Sequence, residues 1–170
     1  IYDHLGSNGG ENLVQRLEFM AVSLGIEVIV LDHITAAATG MLGSMNDNER
    51  LLIDSLMKEL RSLVSRTGVH IHIVSQLVKN GKAFEEGERI TMQDLRGSGS
   101  LASVPNTVIA LERNRQDPDE VVKNTTTVRV LKNRLTGKCG IASALYYNHN
   151  CGRLEEVEYQ ESDAGNVSFN

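Results

Sequence analysis

Apolar positions recur along this chain in two rhythms. In "NGGENLVQRLEFMAVSLG" (residues 8–25), Leu13, Leu17, Met20 and Leu24 fall three or four apart, which is one stripe of a helix. Asn8 followed by Glu11 has the spacing of a capping box, and Gly25 is placed to end the helix. Next comes "IEVIVLD", a nearly unbroken aliphatic run closed by Asp32. That pattern predicts a strand covered on both faces within a parallel sheet. The helical rhythm returns over about 49–67, where Ile53, Leu56, Met57, Leu60, Leu63 and Val64 form the apolar face and Gly68 the stop. "VHIHIVS" (69–75) is a second strand. Further on, "TVIALER", "TTTVRVLK", "IASALYYN" and "GRLEEVEY" have strand character.

The connecting segments differ in kind. Residues 35–48, "TAAATGMLGSMNDN", predict a flexible loop of small and polar residues, and "QLVKNGKAFEEGERITMQD" a second long loop. "LRGSGSLASVPN" has the look of a glycine turn opening a short helix. Helix, strand, helix, strand and then a series of strands predict an α/β fold. Its sheet is mostly parallel and flanked by helices, and its C-terminal side is antiparallel or mixed.

Composition narrows this picture modestly. A chain of 170 residues, 41% hydrophobic and 23% charged, suits a single globular domain. Three Phe, four Tyr and no Trp leave the core to aliphatic side chains. No apolar run approaches the ~18 residues of a membrane span. The start, "IYDHLGSNGG", lacks Met and any signal-peptide pattern and resembles the middle of a strand, so a longer protein is expected. Cys139 and Cys151 fit neither a disulfide framework nor a zinc motif and are expected as free thiols in a reducing cytosol. A net charge of −5 argues against a general electrostatic grip on nucleic acid; only a local basic loop could supply one.

In open parallel sheets ligands bind beyond the carboxyl ends of the strands, and polar residues stand at three such ends. Asp32 follows "VIVL", Gln76 follows "HIVS", and Lys132 with Arg134 closes "TTTVRVL". A carboxylate there suits a hard cation such as Mg²⁺, an amide can sense a phosphate oxygen or orient a water, and a guanidinium can meet charge on a transferring phosphoryl group. Each has a plainer alternative: a turn-forming Asp, a loop Gln, a salt-bridged strand edge. On a strand, Lys132 and Arg134 would leave one face together. The phosphate-cradling pattern G-x-x-x-x-G-K-[ST] is missing, because Gly81-Lys82 precedes Ala83 and Gly137-Lys138 precedes Cys139. Such a loop would be expected upstream of Ile1.

"EVIVLDHI", "IHIVSQL", "DLRGSGSLASVPNTVIALERNRQ" and "VRVLKNRLTGKCGIASALYYN" together resemble the helicase domain of phage primase-helicases of the T7 type. More distantly they resemble bacterial DnaB-type and mitochondrial Twinkle-type replicative helicases. The likeness runs from about residue 27 to 158, and "DLRGSGSL" and "LKNRLTG" are its most specific pieces. The resemblance implies a RecA-like fold, a hexameric ring, ATP or dTTP with Mg²⁺, and 5′-to-3′ travel on single-stranded DNA. It further implies replication partners such as primase and polymerase, no membrane, and a cytoplasmic location, the host's if the protein is phage-encoded.

Carried over by position, Asp32 matches the metal-partnering Walker B aspartate. Gln76 matches the γ-phosphate sensor, which is His in the phage relatives and Gln in the bacterial ones. Arg134 matches an arginine finger acting on a neighbour's nucleotide, and Lys132 its companion cation. Arg113 and Tyr147 match positions flanking the bound base. Three segments match inward-facing DNA loops: about 35–48, about 77–90, and the stretch after Arg113. The second carries Lys79 and Lys82, and the glycine turn adds Arg96, with the backbone N–H groups of Gly97, Ser98 and Gly99 free to meet phosphate. Glu85, Glu86 and Glu88 offset the local charge. Base stacking is expected to contribute little, so contact to the DNA backbone and marked salt sensitivity are expected.

His70 and His72 share a strand face without an evident third metal ligand, and His33 fits a local hydrogen-bonding role. Lacking the phosphate loop and the family's catalytic base, these residues alone are not expected to hydrolyse nucleotide. Two other readings stay open: a recombinase- or clock-like RecA-type ring ATPase, and a degenerate RecA-fold module for assembly or DNA contact.

Overall fold

A computed structural model describes residues 13–39, 49–78, 81, 83–95, 99–157, 159–161 and 167–169. Asn8 and Glu11, the expected helix cap, lie outside them. The chain gathers into two compact units, residues 1–78 with 95–104, and residues 79–94 with 105–170.

The first unit is built around two long helices and a short parallel ladder. α1 (Leu13–Ser23) buries Leu13, Val14 and Leu17. It stops one residue short of Leu24, which stands 60% exposed instead of completing the stripe. β1 (Val28–Leu31) pairs in parallel with β2 (His70–Ile73), Val28 opposite His70 and Leu31 opposite Ile73. Only Ile29 of β1 is fully buried; Val28 and Val30 are exposed, so the strand is not covered on both faces as its continuous aliphatic run predicts.

α3 (Glu49–Thr67) meets its expected bounds and buries Ile53, Leu56, Met57, Leu60 and Leu63. Each of these side chains contributes about 2 kcal/mol by leaving water. Gly68, at φ +73°, ends the helix in the left-handed region that side chains other than glycine's avoid.

α2 (Ile34–Thr39) corrects the loop expected from residue 35. Ile34, Thr35, Ala37 and Ala38 are buried, because alanine both favours helix and lets one helix pack closely on another. Residues 40–48 lie outside the described set. α4 (Gly99–Ser103) places Leu101 in the same core.

The second unit holds a four-stranded antiparallel sheet in the order β3 (Thr107–Glu112), β4 (Thr125–Asn133), β5 (Gly140–Asn148), β6 (Arg153–Val157). β7 (Tyr159–Glu161) and β8 (Val167–Phe169) pair separately, an addition to the expected strands. α5 (Glu120–Asn124) was not expected either. Its cap is Asp119, whose carboxylate accepts from the Val121 and Val122 amides. A 3₁₀ turn covers Met92–Asp94.

The interior of this second unit is partly polar. Glu112 Oε2 accepts from Arg129 Nε at 2.8 Å, and its Oε1 accepts from the Ile90 amide at 2.8 Å. With side chains only 9% and 17% exposed, this pair is a buried strut between β3, β4 and the chain before the 3₁₀ turn.

Candidate functional site

The parallel ladder of the first unit places two of the expected residues at one edge. Beyond Leu31 and Ile73 the pairing continues, with the Val74 amide donating to Leu31 O at 2.9 Å and the Ile34 amide to Val74 O at 3.0 Å. Asp32 and Gln76 therefore emerge from the carboxyl ends of adjoining strands. The Asp32 side chain is 73% exposed, with one carboxylate oxygen 4.0 Å from His33 Nδ1. The Asp32–His33 peptide is cis. Gln76 is exposed, and its carbonyl accepts from Ser75 Oγ at 3.2 Å. On β2, the His70 and His72 rings meet edge-on, 4.5 Å between centroids. Among the described residues no group of three or more His, Cys, Asp or Glu could hold a metal.

In the second unit, Lys132 lies within β4, whereas Arg134 opens the turn that follows. The Arg134 amide still donates to Asn106 O at 2.9 Å, so the turn is fastened to the start of β3. Asn133 Oδ1 accepts from the Leu135 and Thr136 amides, and Gly137, at φ +71°, closes the turn with its amide on Asn133 O. Burial, and after it the Arg134 guanidinium, holds the Lys132 ammonium below its ordinary proton affinity. The two cations are thus electrostatic neighbours, Lys132 near the end of β4 and Arg134 at the start of a well-braced turn. An anion beside them would offset their mutual repulsion.

Arg113 and Tyr147 stand at the other end of this sheet. Val108 is opposite Lys132, while Glu112 is opposite Thr127, and Tyr146 is opposite Thr125. From Lys132 to the Thr127 end is five residues of strand, roughly 17 Å. There Arg113 Nε donates to Lys123 O at 2.6 Å, and Nη2 to Asn124 Oδ1 at 2.8 Å. Asn124 Oδ1 also lies 3.0 Å from His149 Nε2, and the His149 ring stands perpendicular to the Tyr147 ring, 4.8 Å between centroids. Asn124 and His149 drew no notice in the sequence. They are 25 positions apart, and only the fold makes them neighbours.

The expected DNA-contact residues divide. Lys79, Lys82, Arg96 and Gly97 lie outside the described residues; Gly99 begins α4 and is exposed. Thr35–Thr39 belong to α2, whose buried residues pack in the core, which removes that part of the first expected loop. The acidic stretch is tied to the chain after Arg113: Glu86 bridges to Asn114, and the Arg115 amide donates to Glu85 O at 2.8 Å. Farther along, Asp94 Oδ2 takes hydrogen bonds from the Thr91 amide and hydroxyl. Both cysteines are free thiols on the surface. No helix among the described residues is long and apolar enough to cross a membrane.

The sequence pattern of the DnaB-like helicase C terminal domain matches residues 7–156. A DNA helicase/primase of Enterobacteria phage T3 is 39% identical over 171 residues, covering 97% of this chain and 29% of that protein. Protein RecA of Anaplasma marginale is 26% identical over 160 residues, 87% of this chain and 43% of RecA. Among solved structures, the ATPase domain of G40P superposes with a TM-score of 0.69 at 20% identity, over 85% of this chain and 51% of that one. A DnaB-like replicative helicase, studied with primase, gives 0.68 at 19% identity, over 83% of this chain and 34% of that one. At those identities the structural likeness carries the fold, which is RecA-like α/β. The chain spans less than half the length of the curated relatives it matches.

Proposed function

The chain belongs to the family of DnaB-like helicase C-terminal domains, and we propose that it is part of a replicative DNA helicase motor. In this reading residues 1–170 form part of one RecA-like ATPase domain. The complete protein couples nucleoside triphosphate hydrolysis to 5′-to-3′ travel on single-stranded DNA and to duplex unwinding. Copies assemble head to tail into a six-membered ring, alongside primase and polymerase. ATP and dTTP are the candidate fuels.

Asp32 is the partner of Mg²⁺. An exposed carboxylate at a strand tip is a hard oxygen donor of the kind this ion takes, directly or through water. Bound there with the nucleotide, Mg²⁺ would neutralise charge on the phosphates. Gln76, from the neighbouring tip, accepts or donates to a phosphate oxygen and passes that state to the chain that follows. Arg134 supplies positive charge to the nucleotide of the adjacent copy, with Lys132 beside it. Arg113 and Tyr147 flank the base. Lys79, Lys82, Arg96, Gly97 and Gly99 meet the DNA backbone, where a weakly basic loop repeated around a ring becomes a strong field.

One observation carries the shared-site arrangement. The cation pair and the Arg113–Tyr147 pair occupy opposite ends of the same antiparallel sheet. A copy that holds a base at one end presents its fingers at the other, where a neighbour's nucleotide would lie. The test is Arg134→Ala in the complete gene product. It should still bind nucleotide and assemble, while DNA-stimulated turnover falls by about 10³–10⁵. Turnover equal to the unaltered protein would end the assignment.

A further inference from the structure

We propose that Asn124 and His149 are the positioning pair of a nucleobase platform, setting the Arg113 guanidinium and the Tyr147 ring through a single amide oxygen. This rests on the reading that Arg113 and Tyr147 flank the base.

Asn124 is 7% exposed, and its orientation follows from its neighbours. Arginine has only donors, so the atom 2.8 Å from Arg113 Nη2 must be the amide oxygen. On the other side Asn124 Nδ2 lies 2.8 Å from Glu120 O, which only accepts. The oxygen is therefore fixed toward Arg113 and His149. His149 Nε2, 3.0 Å from that oxygen, must carry a proton and donate it. This decides the tautomer of a ring that could otherwise present either nitrogen.

One acceptor thus anchors two side chains. Both Arg113 bonds, to Lys123 O and to Asn124 Oδ1, run in the guanidinium plane, so they fix the plane without using its flat faces. The His149 ring, held by its Nε2 proton, stands perpendicular to Tyr147 and limits how that ring can tilt. Glu120 adds a nearby carboxylate: it is held below its ordinary value first by Lys123 and in smaller part by Asn124 and then His149. The ligand that fits two such set planes is any flat base, purine or pyrimidine. The pair therefore acts on affinity for the base and leaves the phosphates to other residues.

The test uses steady-state hydrolysis of ATP and of dTTP by the complete gene product, with inorganic tripolyphosphate as a base-free competitive inhibitor. His149→Phe keeps a ring on an exposed turn but removes the donor. It should raise KM for both nucleotides by roughly 5-fold, with kcat, the tripolyphosphate Ki and the melting temperature unchanged. His149→Gln restores an N–H donor and should recover most of the loss. Asn124→Ala should exceed His149→Phe, and the exposed turn keeps the test valid if removing the buried amide unfolds α5. If His149→Phe leaves KM unchanged while Arg113→Ala and Tyr147→Ala raise it, the positioning role is overturned and the platform stands. If Arg113→Ala and Tyr147→Ala leave KM unchanged, the platform itself falls, and this inference with it. A parallel rise in tripolyphosphate Ki would mean general distortion and would also overturn it.

Discussion

Lys132 shows what single residues contribute and what they conceal. Its ammonium is pushed down first by burial and then by Arg134, so the folded chain holds this proton less tightly than the unfolded one. The sign follows directly. The charge works against the fold at neutral pH, and the penalty fades as pH climbs toward the ordinary lysine value of 10.5. Arg134→Gln removes the second cause and leaves the first, so Lys132 should titrate higher but still below that value. Lysine side-chain NMR across alkaline pH measures this, and an unmoved titration would show the two cations to be independent. The sequence already displayed Lys132 and Arg134 as a pair two apart, and Asp32 and Gln76 as strand tips, because those signals are local. Asn124 and His149 left no such trace. An asparagine before a threonine run and a histidine in a turn acquire meaning only when β4 and β5 pair.

At the scale of elements, periodicity served where burial is one-sided and continuous. α3 came through with its apolar face intact, because 19 residues of consistent pattern outweigh any local exception. α2 and α5 were missed for a physical reason: with six and five residues they are too short for a period to register, whereas the equally short α4 was signalled by its glycine turn. α5 depends on its cap, which the "DPDE" stretch could have signalled. Asp119→Ala should cost about 1 kcal/mol of stability, read as a lowered melting temperature. The strut between Glu112 and Arg129 is a larger matter, and nothing in a strand pattern announces it. Glu112→Ala would strand a buried guanidinium and orphan the Ile90 amide. It should destabilise the protein by about 3 kcal/mol. Glu112→Gln, which retains an acceptor for Ile90, should cost less, and equal losses would locate the whole effect in the ion pair.

For the whole molecule, the α/β class and the RecA-like core were legible from the order of elements and a few motif stretches. The division into two compact units was not, since no composition shift or linker marks residues 79 or 105. Strand pairing decides which residues share an end, and pairing is long-range. Here it sets the cations and the aromatic–guanidinium cluster about 17 Å apart on one sheet. A mixing experiment follows. Arg134→Ala copies retain the Arg113 end, and Arg113→Ala copies retain the Arg134 end. With nucleotide held well below the raised KM of Arg113→Ala copies, each alone should turn over slowly. An equimolar mixture should regain activity at about a quarter of its junctions, those where the two intact ends meet. Mixtures no better than either parent would show that both ends serve one copy's own nucleotide.

A body with a giving end and a receiving end is an arrow. Arrows laid in a row always leave one tip and one tail idle, so an open row of copies has one fewer working junction than members. Only by bending back on itself does the row lose that defect. On the proposed reading, in which Arg134 serves a neighbour's nucleotide, the antiparallel course of β3 and β4, a matter of which hydrogen bonds form within one chain, would thereby reward the circle over the line.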